Sequence, residues 1–256
     1  MSLQLKVLKF AEQSAKWPTA GCHIVAQSTE DAVVVYQAFR PSIAAHAVSH
    51  QRFTGCSDYN PDRMTWIKTN FLWMCYRSGW NSKPNQERTL AIWLKRSAFL
   101  EILNDAVISR FPHEAAAAGK FKFTDETEFR DWCQERKNDT TRSFVRLQWD
   151  PDHLPNGHKT QRRAIQLGIK RRPSFANGED ILRIEDITDS LVIPQQTAAL
   201  HPQIAAAGSD GADCDFNDPE VLSAAWPDLV TPMEDILRIE DPNIRSLLAL
   251  DELASS

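Results

Sequence analysis

The sequence predicts an α+β domain over residues 1–192 followed by an acidic tail over residues 193–256, and three observations lead there. Short runs rich in β-branched and aromatic residues alternate with segments of helical period. Of the 256 residues 42% are hydrophobic and 25% charged, an ordinary globular balance that supplies one core and an appendage. The charge is unevenly divided. Residues 1–178 carry 26 Lys and Arg against 17 Asp and Glu, a net +9, whereas residues 179–256 carry 3 against 17, a net −14.

Ala32 to Phe39 (AVVVYQAF) reads as a buried strand. Pro41 follows at a position suited to a first helical turn, and Ile43, Ala47 and Val48 hold helical spacing through Phe53. Cys56 to Asp62 is loop, and Met64 to Lys68 (MTWIK) a short strand. Thr69 or Asn70 caps a helix through FLWMCYRSGW, ended by Gly79. Thr89 to Leu94 is a third strand, with a helix near Ser97 to Ser109. A further helix is expected over Asp125 to Lys137, its acidic start matching the helix dipole. Phe144 to Trp149 (FVRLQW) is a fourth strand, stopped by Asp150-Pro151, and Arg163 to Ile169 a fifth. Ile181 to Val192 closes the domain, and the Ala-, Asp- and Pro-rich remainder reads as linker and largely disordered tail.

The six-residue apolar run Phe71 to Tyr76 is far short of the roughly 18 residues of a spanning helix, so no membrane partner is expected. Lys6 and Lys9 interrupt the apolar residues of the N-terminus, which lacks a signal-peptide core. Five cysteines with no CxxC argue against a disulfide framework or a zinc module and for a cytoplasmic setting. His46 and His50 have a spacing that binds metal on a helix, but no third ligand is placed to join them, and no metal is expected.

The basic body points to an anionic ligand, either a nucleotide or nucleic acid. The acidic tail either touches nothing or lies on the body and screens it. EDILRIED occurs twice, at Glu179–Asp186 and Glu234–Asp241. The repeat is a simple local duplication, or both copies fit one groove and the tail copy displaces the other.

Six segments occur in a telling order: VYQAFRPSIAAHAV, DRMTWIKTNFLWMCYRSGW, QERTLAI, VRLQWDP, RAIQLGI and IEDIT. In these the chain resembles the domain-of-unknown-function family numbered 4291, over about residues 31–190. The family pattern has Pro-Ser after Lys68; here Thr69-Asn70 stand there. The order strand–helix–strand–helix–strand, opening with a Tyr-bearing strand, also looks like the N-terminal half of the ADP-ribosyltransferase fold. That resemblance implies a mixed, split sheet with flanking helices and NAD as cofactor. It places Tyr36 or Gln37 against NAD, Thr65 near the nicotinamide ribose, and Gln148 with Asp150 in the catalytic slot, where the fold uses Glu.

Gln148 and Asp150 share one face of their strand, where a carboxylate stabilises a ribosyl cation; alternatively Asp150 only opens the turn at Pro151. Lys68 leaves its strand just before a helix N-terminus, a natural place for phosphate, and Arg77 and Arg40 are further phosphate candidates. Arg77 equally complements its helix dipole, and Arg40 equally serves as a solvated charge. Trp66, Trp73, Trp80 and Trp93 are either core or, for Trp66 above all, a stacking platform. Gln166 on the fifth strand is the next candidate.

Two functions lead, ahead of a third reading as an interaction protein regulated by its tail. One is an NAD-using ADP-ribosyltransferase-like enzyme acting on a nucleic acid or protein acceptor. The other is a non-catalytic nucleotide- or RNA-binding module with a basic, Trp-rich face, regulated by its tail.

Overall fold

In the computed structural model, residues 3–203 and 215–253 are described; Cys214 and the Ala-rich stretch around it lie outside them. The strands are β1 (Val7–Lys9), β2 (Ala20–Cys22), β3 (Val25–Ala26), β4 (Ala32–Phe39), β5 (Thr65–Lys68), β6 (Arg88–Lys95), β7 (Ala106–Ile108), β8 (Phe144–His153), β9 (Lys159–Lys170), β10 (Ile181–Asp186), β11 (Val230–Pro232) and β12 (Asp235–Ile236). The helices are α1 (Phe10–Ser14), α2 (Pro41–His50), α3 (Phe71–Ser78), α4 (Arg96–Asn104), α5 (His113–Ala117), α6 (Glu126–Asn138), α7 (Pro173–Ala176), α8 (Ile193–Leu200), α9 (Pro219–Ala225) and α10 (Pro242–Leu248). The fold is mixed α+β. No helix among the described residues is long and apolar enough to cross a membrane.

One eight-stranded sheet organises the chain, in the order β10-β6-β4-β5-β9-β8-β7, with β2 joined to β9 in parallel. It is two half-sheets meeting at a single joint. β4 pairs with β6 along its whole length, but with β5 at one position, Tyr36 to Lys68. Beyond that pair the two strands part, Gln37 to Phe39 on one side and Met64 to Ile67 on the other.

Each face of the sheet buries its own core. Val33, Val35, Ile67, Leu147, Ile165 and Leu167 point to one side, against α2, α4 and α6. Val34, Tyr36, Ala91 and Trp93 point to the other, against α3 and the C-terminal segment. Trp73, Trp80 and Trp93 are therefore core, as their aromatic bulk favours. Asn70 caps α3 by accepting from the Trp73 amide at 2.8 Å, and Gly79 takes the left-handed conformation (φ 61°) that ends it.

Four expectations need correcting. The helix after β6 stops at Asn104, and Ala106–Ile108 turns back as edge strand β7 beside β8. The fourth strand does not stop at Asp150-Pro151. It runs to His153, Pro151 lying opposite Arg163 with an irregularity just beyond, so the turn falls at Leu154–His158 instead. Asp150 is thus a strand residue rather than a turn opener.

The third correction concerns the tail. Residues 215–253 are folded onto the body: Leu222, Trp226, Leu229, Leu237, Ile239, Ile244 and Leu248 are all buried in the two cores. β11 pairs with β1, and β12 with β3. Acidic composition hid apolar residues that recur at strand spacing (Leu237, Ile239) and at helix spacing (Ile244, Leu247, Leu248). The link to the basic body is mainly apolar, with one ion pair among the described residues, Lys120 to Asp251 at 2.8 Å.

The fourth concerns the repeat. The first EDILRIED copy forms edge strand β10 and buries Asp180, Ile181 and Ile184. The second buries Glu234, Leu237 and Ile239 and pairs with β3. The two copies share one buried position, Ile184 and Ile239, but otherwise sink different residues and pair with different strands, so in this structure they occupy different places. β10 lies at the margin of the sheet, and Gln51 covers its middle. The Gln51 amide accepts from the Ile184 N–H at 2.7 Å and donates to the Ile184 carbonyl at 3.0 Å.

Candidate functional site at the joint of the sheet

The register of four strands sets a row of side chains across the joint. Tyr36 lies opposite Lys68, Lys68 opposite Gln166, and Gln166 opposite Gln148. Strand alternation keeps this row on the face away from Ile67, Leu167 and Leu147. Asp150, two residues beyond Gln148, shares that face. The Gln166 amide nitrogen donates to Gln148 Oε1 at 2.7 Å and to Asp150 Oδ2 at 2.5 Å, tying the three into one cluster. Burial pushes the Asp150 carboxyl up from its ordinary range, against the opposing pull of Gln166, Lys68, Arg163 and Arg77.

Lys68 is only 4% exposed and makes no hydrogen bond or ion pair among the described residues. Desolvation, aided by the charge of Arg77, pushes its ammonium down to about 8, while Asp150 draws it upward. Arg77 itself is exposed on the last turn of α3. Its neighbour Tyr76 stacks on His153 at 3.7 Å and so seats α3 against the end of β8.

On the next row Trp66 lies opposite Gly168. A Cβ at Gly168 would meet the Trp66 ring at 2.9 Å and Met64 Sδ at 2.6 Å, so this glycine lets the indole pack directly against the strand. A glycine inside the apolar run RAIQLGI was the sequence signal for that close approach.

The parting strands leave a cleft of about 390 Å³ lined by Gln37, Arg40, Tyr59, Arg63, Thr65 and Trp66, among others. Thr65 Oγ1 donates to Gln37 Oε1 at 2.7 Å across its narrow end. Arg40 lies 3.6 Å from Asp58, which also bonds Ser42, while Arg63 has no ion pair among the described residues.

The proposed site residues therefore fall into two separate groups, Gln37 and Thr65 standing on the opposite face of the sheet from Lys68, Gln148, Asp150 and Gln166. Gln37, Arg40, Thr65 and Trp66 line the cleft; Lys68, Gln148, Asp150 and Gln166 form a cluster of their own, with Arg77 nearby. Tyr36 belongs to neither. It is fully buried with its ring 5.7 Å from Phe71, and its hydroxyl has no partner among the described residues, so it does not reach a ligand. Its strand is central and covered on both faces, where a tyrosine serves the core. Nothing in the local sequence singled out Glu234. This residue reaches α3 from the C-terminal segment, through a contact with no local pattern. His46 and His50 stack at 4.2 Å, and each bonds a backbone carbonyl.

No curated protein matches the chain. The family model described as Domain of unknown function (DUF4291) matches residues 23–207, a span that includes the cleft, the cluster and all strands of the main sheet except β2. The chain belongs to this family.

Proposed function

We propose that the chain binds a nucleotide at the joint of the sheet. The observation that carries this reading is the cleft itself: two arginines and an indole face are gathered where β4 and β5 part. Its volume of about 390 Å³ falls within the range of small-molecule sites. Arg40 and Arg63 suit phosphates, which guanidinium groups grip with paired hydrogen bonds. Trp66, packed against Gly168, suits a base.

A second reading is NAD-dependent ADP-ribosyl transfer to a nucleic acid or protein acceptor. It is favoured by Asp150, which lies beside Gln148 on one strand face and is anchored by Gln166. A carboxylate fixed there would stabilise positive charge on a ribose as nicotinamide leaves.

Thermal melts with AMP, ADP-ribose, NAD and a short single-stranded RNA test both readings. A nucleotide at 100 times its Kd adds ~2.7 kcal/mol of stability, an easily measured rise in Tm. Nicotinamide release is followed in parallel. Shifts with AMP and NAD but no nicotinamide would support binding without transfer. Nicotinamide release abolished by Asp150→Asn would support the enzyme. A shift with RNA alone, or with nothing, would overturn the nucleotide reading.

A further inference from the structure

The segments that flank α6 meet α10 around a second cavity, of about 360 Å³, which shares no lining residue with the cleft. Three cations line it, each from a different stretch of chain: Lys122 before α6, Arg136 on its last turn and Arg142 after it. Among the described residues no acidic side chain lines it. Like charges brought together repel, so a convergence of three asks for an anion.

One carboxylate, Asp105, stands behind the arginines, and its oxygens are already taken. Oδ1 accepts from Arg136 at 3.2 Å and from Arg142 at 2.7 Å, and Oδ2 accepts from the Ser143 hydroxyl. Three positive charges against this one negative charge leave a surplus of two. Each guanidinium gives only its Nη2 to protein partners among the described residues. Nε and Nη1 of both arginines, and the Lys122 ammonium, have no partner there.

Trp132 fixes two of the cations in place. Lys122 Nζ lies 5.3 Å from its ring centroid and Arg136 Cζ 5.6 Å. Arg136 is only 16% exposed, so its guanidinium is held by its surroundings. Another wall of the cavity is α10, which brings the uncharged polar groups of Asn243 and Ser246. The Lys122 N–H donates to the Ser246 carbonyl at 3.1 Å and seats α10 there.

We propose that this cavity binds a small phosphorylated polyol, of which a sugar phosphate is the simplest member. A phosphate monoester carries close to two negative charges near pH 7, which matches the surplus. Guanidinium N–H pairs grip such a group with paired hydrogen bonds, and Lys122 adds a point charge. Asn243 and Ser246 offer donors and acceptors to hydroxyls. The volume lies at the lower end of small-molecule sites, which suits a phosphate joined to a few carbons. Because α10 supplies part of the wall, the ligand fastens the C-terminal segment to the body. The proposal stands apart from the nucleotide reading at the joint of the sheet.

The test titrates the full chain with ribose 5-phosphate, ribose and inorganic phosphate by calorimetry, and follows backbone hydrogen exchange with each. Ribose 5-phosphate is expected to bind, more tightly than inorganic phosphate, and ribose not at all. Exchange should slow in peptides that carry residues 132–142 and 243–248. Lys122→Gln should weaken binding about tenfold or more, the scale of a charge-assisted hydrogen bond, and Lys122→Arg should restore most of it. Arg130→Gln removes an exposed cation, paired with Glu126, from the same helix and should leave the affinity unchanged. A melt without ligand checks that each variant folds. Should Lys122→Gln fail to fold, Arg142→Gln is read in the same way.

Inorganic phosphate that binds as tightly as ribose 5-phosphate would overturn the polyol assignment. No binding, or binding that Lys122→Gln leaves intact, would overturn the site. Slowed exchange in the two segments with single-stranded RNA but with no small phosphate would also overturn it, in favour of a nucleic-acid surface.

Discussion

The carboxylate of Glu234 accepts a hydrogen bond from the backbone amide of Phe71 at 2.7 Å, across 163 positions of the chain. It also accepts from Asn70 Nδ2 at 3.3 Å, while its own backbone amide donates to Gln13. The helix that carries Arg77 is therefore fastened at its start by the C-terminal segment. Burial pushes the Glu234 carboxyl well up, the Phe71 amide opposing. A carboxyl raised in the folded state stabilises most at low pH, and that contribution is lost as pH rises through its folded value. Glu234→Gln should thus melt at or above wild type at pH 7, with the difference shrinking toward pH 5. Glu234→Ala, which orphans the Phe71 N–H, should cost about 1–3 kcal/mol. Urea denaturation across that pH range checks both, and a Glu234→Gln variant much weaker than wild type at pH 7 would contradict the assignment.

Deleting residues 215–253 should leave a chain that aggregates or loses its cooperative melt. The deletion uncovers the partners of Trp226, Leu229, Leu237 and Leu248, each nearly or fully buried. Each such side chain contributes about 1.5–3 kcal/mol, and the sum is comparable to the whole stability of a domain. A soluble, sharply melting residue 1–203 fragment would show that the segment is dispensable.

Gly168→Ala should destabilise by about 1–3 kcal/mol, the usual range for overfilling a packed site. The new methyl meets Met64 and Trp66 at less than 3 Å, so the indole must lift from the strand. Tryptophan fluorescence should shift, and nucleotide affinity should fall. Unchanged fluorescence would mean that Trp66 does not lie where described.

Lys68 makes a pH prediction of opposite sign to Glu234. Its ammonium is at about 8 in the folded chain, against 10.5 for a free lysine. Below pH 8 the folded and unfolded chains are both protonated there, and the burial penalty is full. As pH rises from 8 toward 10.5 the folded chain gives up the proton first, and stability is regained. Lys68→Met should be the more stable protein at pH 7, by up to ~3 kcal/mol, and should lose that advantage by pH 10. A wild-type to variant difference that does not change with pH would show that Lys68 keeps an ordinary affinity for its proton.

Much of the half-sheet pattern was legible because its strands are short and dense in β-branched residues. Ala32 to Phe39 is a strand to the residue, and Asn70 and Gly79 cap α3 as their chemistry requires. The pairing of Gln148 with Asp150 followed from alternation alone. What could not be read was non-local. Nothing in MTWIK tells that Lys68 meets β4 at one residue pair, because that depends on where two distant strands diverge. Tyr36 looked exposed to a ligand because its strand's position at the centre of the sheet is not written in its eight residues. Local acidity likewise concealed the anchoring role of the second EDILRIED copy, whose Glu234 is buried while its counterpart Glu179 is exposed.

The Gln51 clasp on Ile184 bears on how this molecule behaves in company. A sheet margin offers a row of unmet donors and acceptors, the template on which another chain would lay a strand. Gln51 supplies one donor and one acceptor to one residue, as a neighbouring strand would, from the left-handed position that closes α2. The flank is occupied by a side chain of the same molecule, so a visiting strand would have to evict it before it could pair in register. At the middle of this margin the backbone groups that a visiting strand would need are already met by one glutamine.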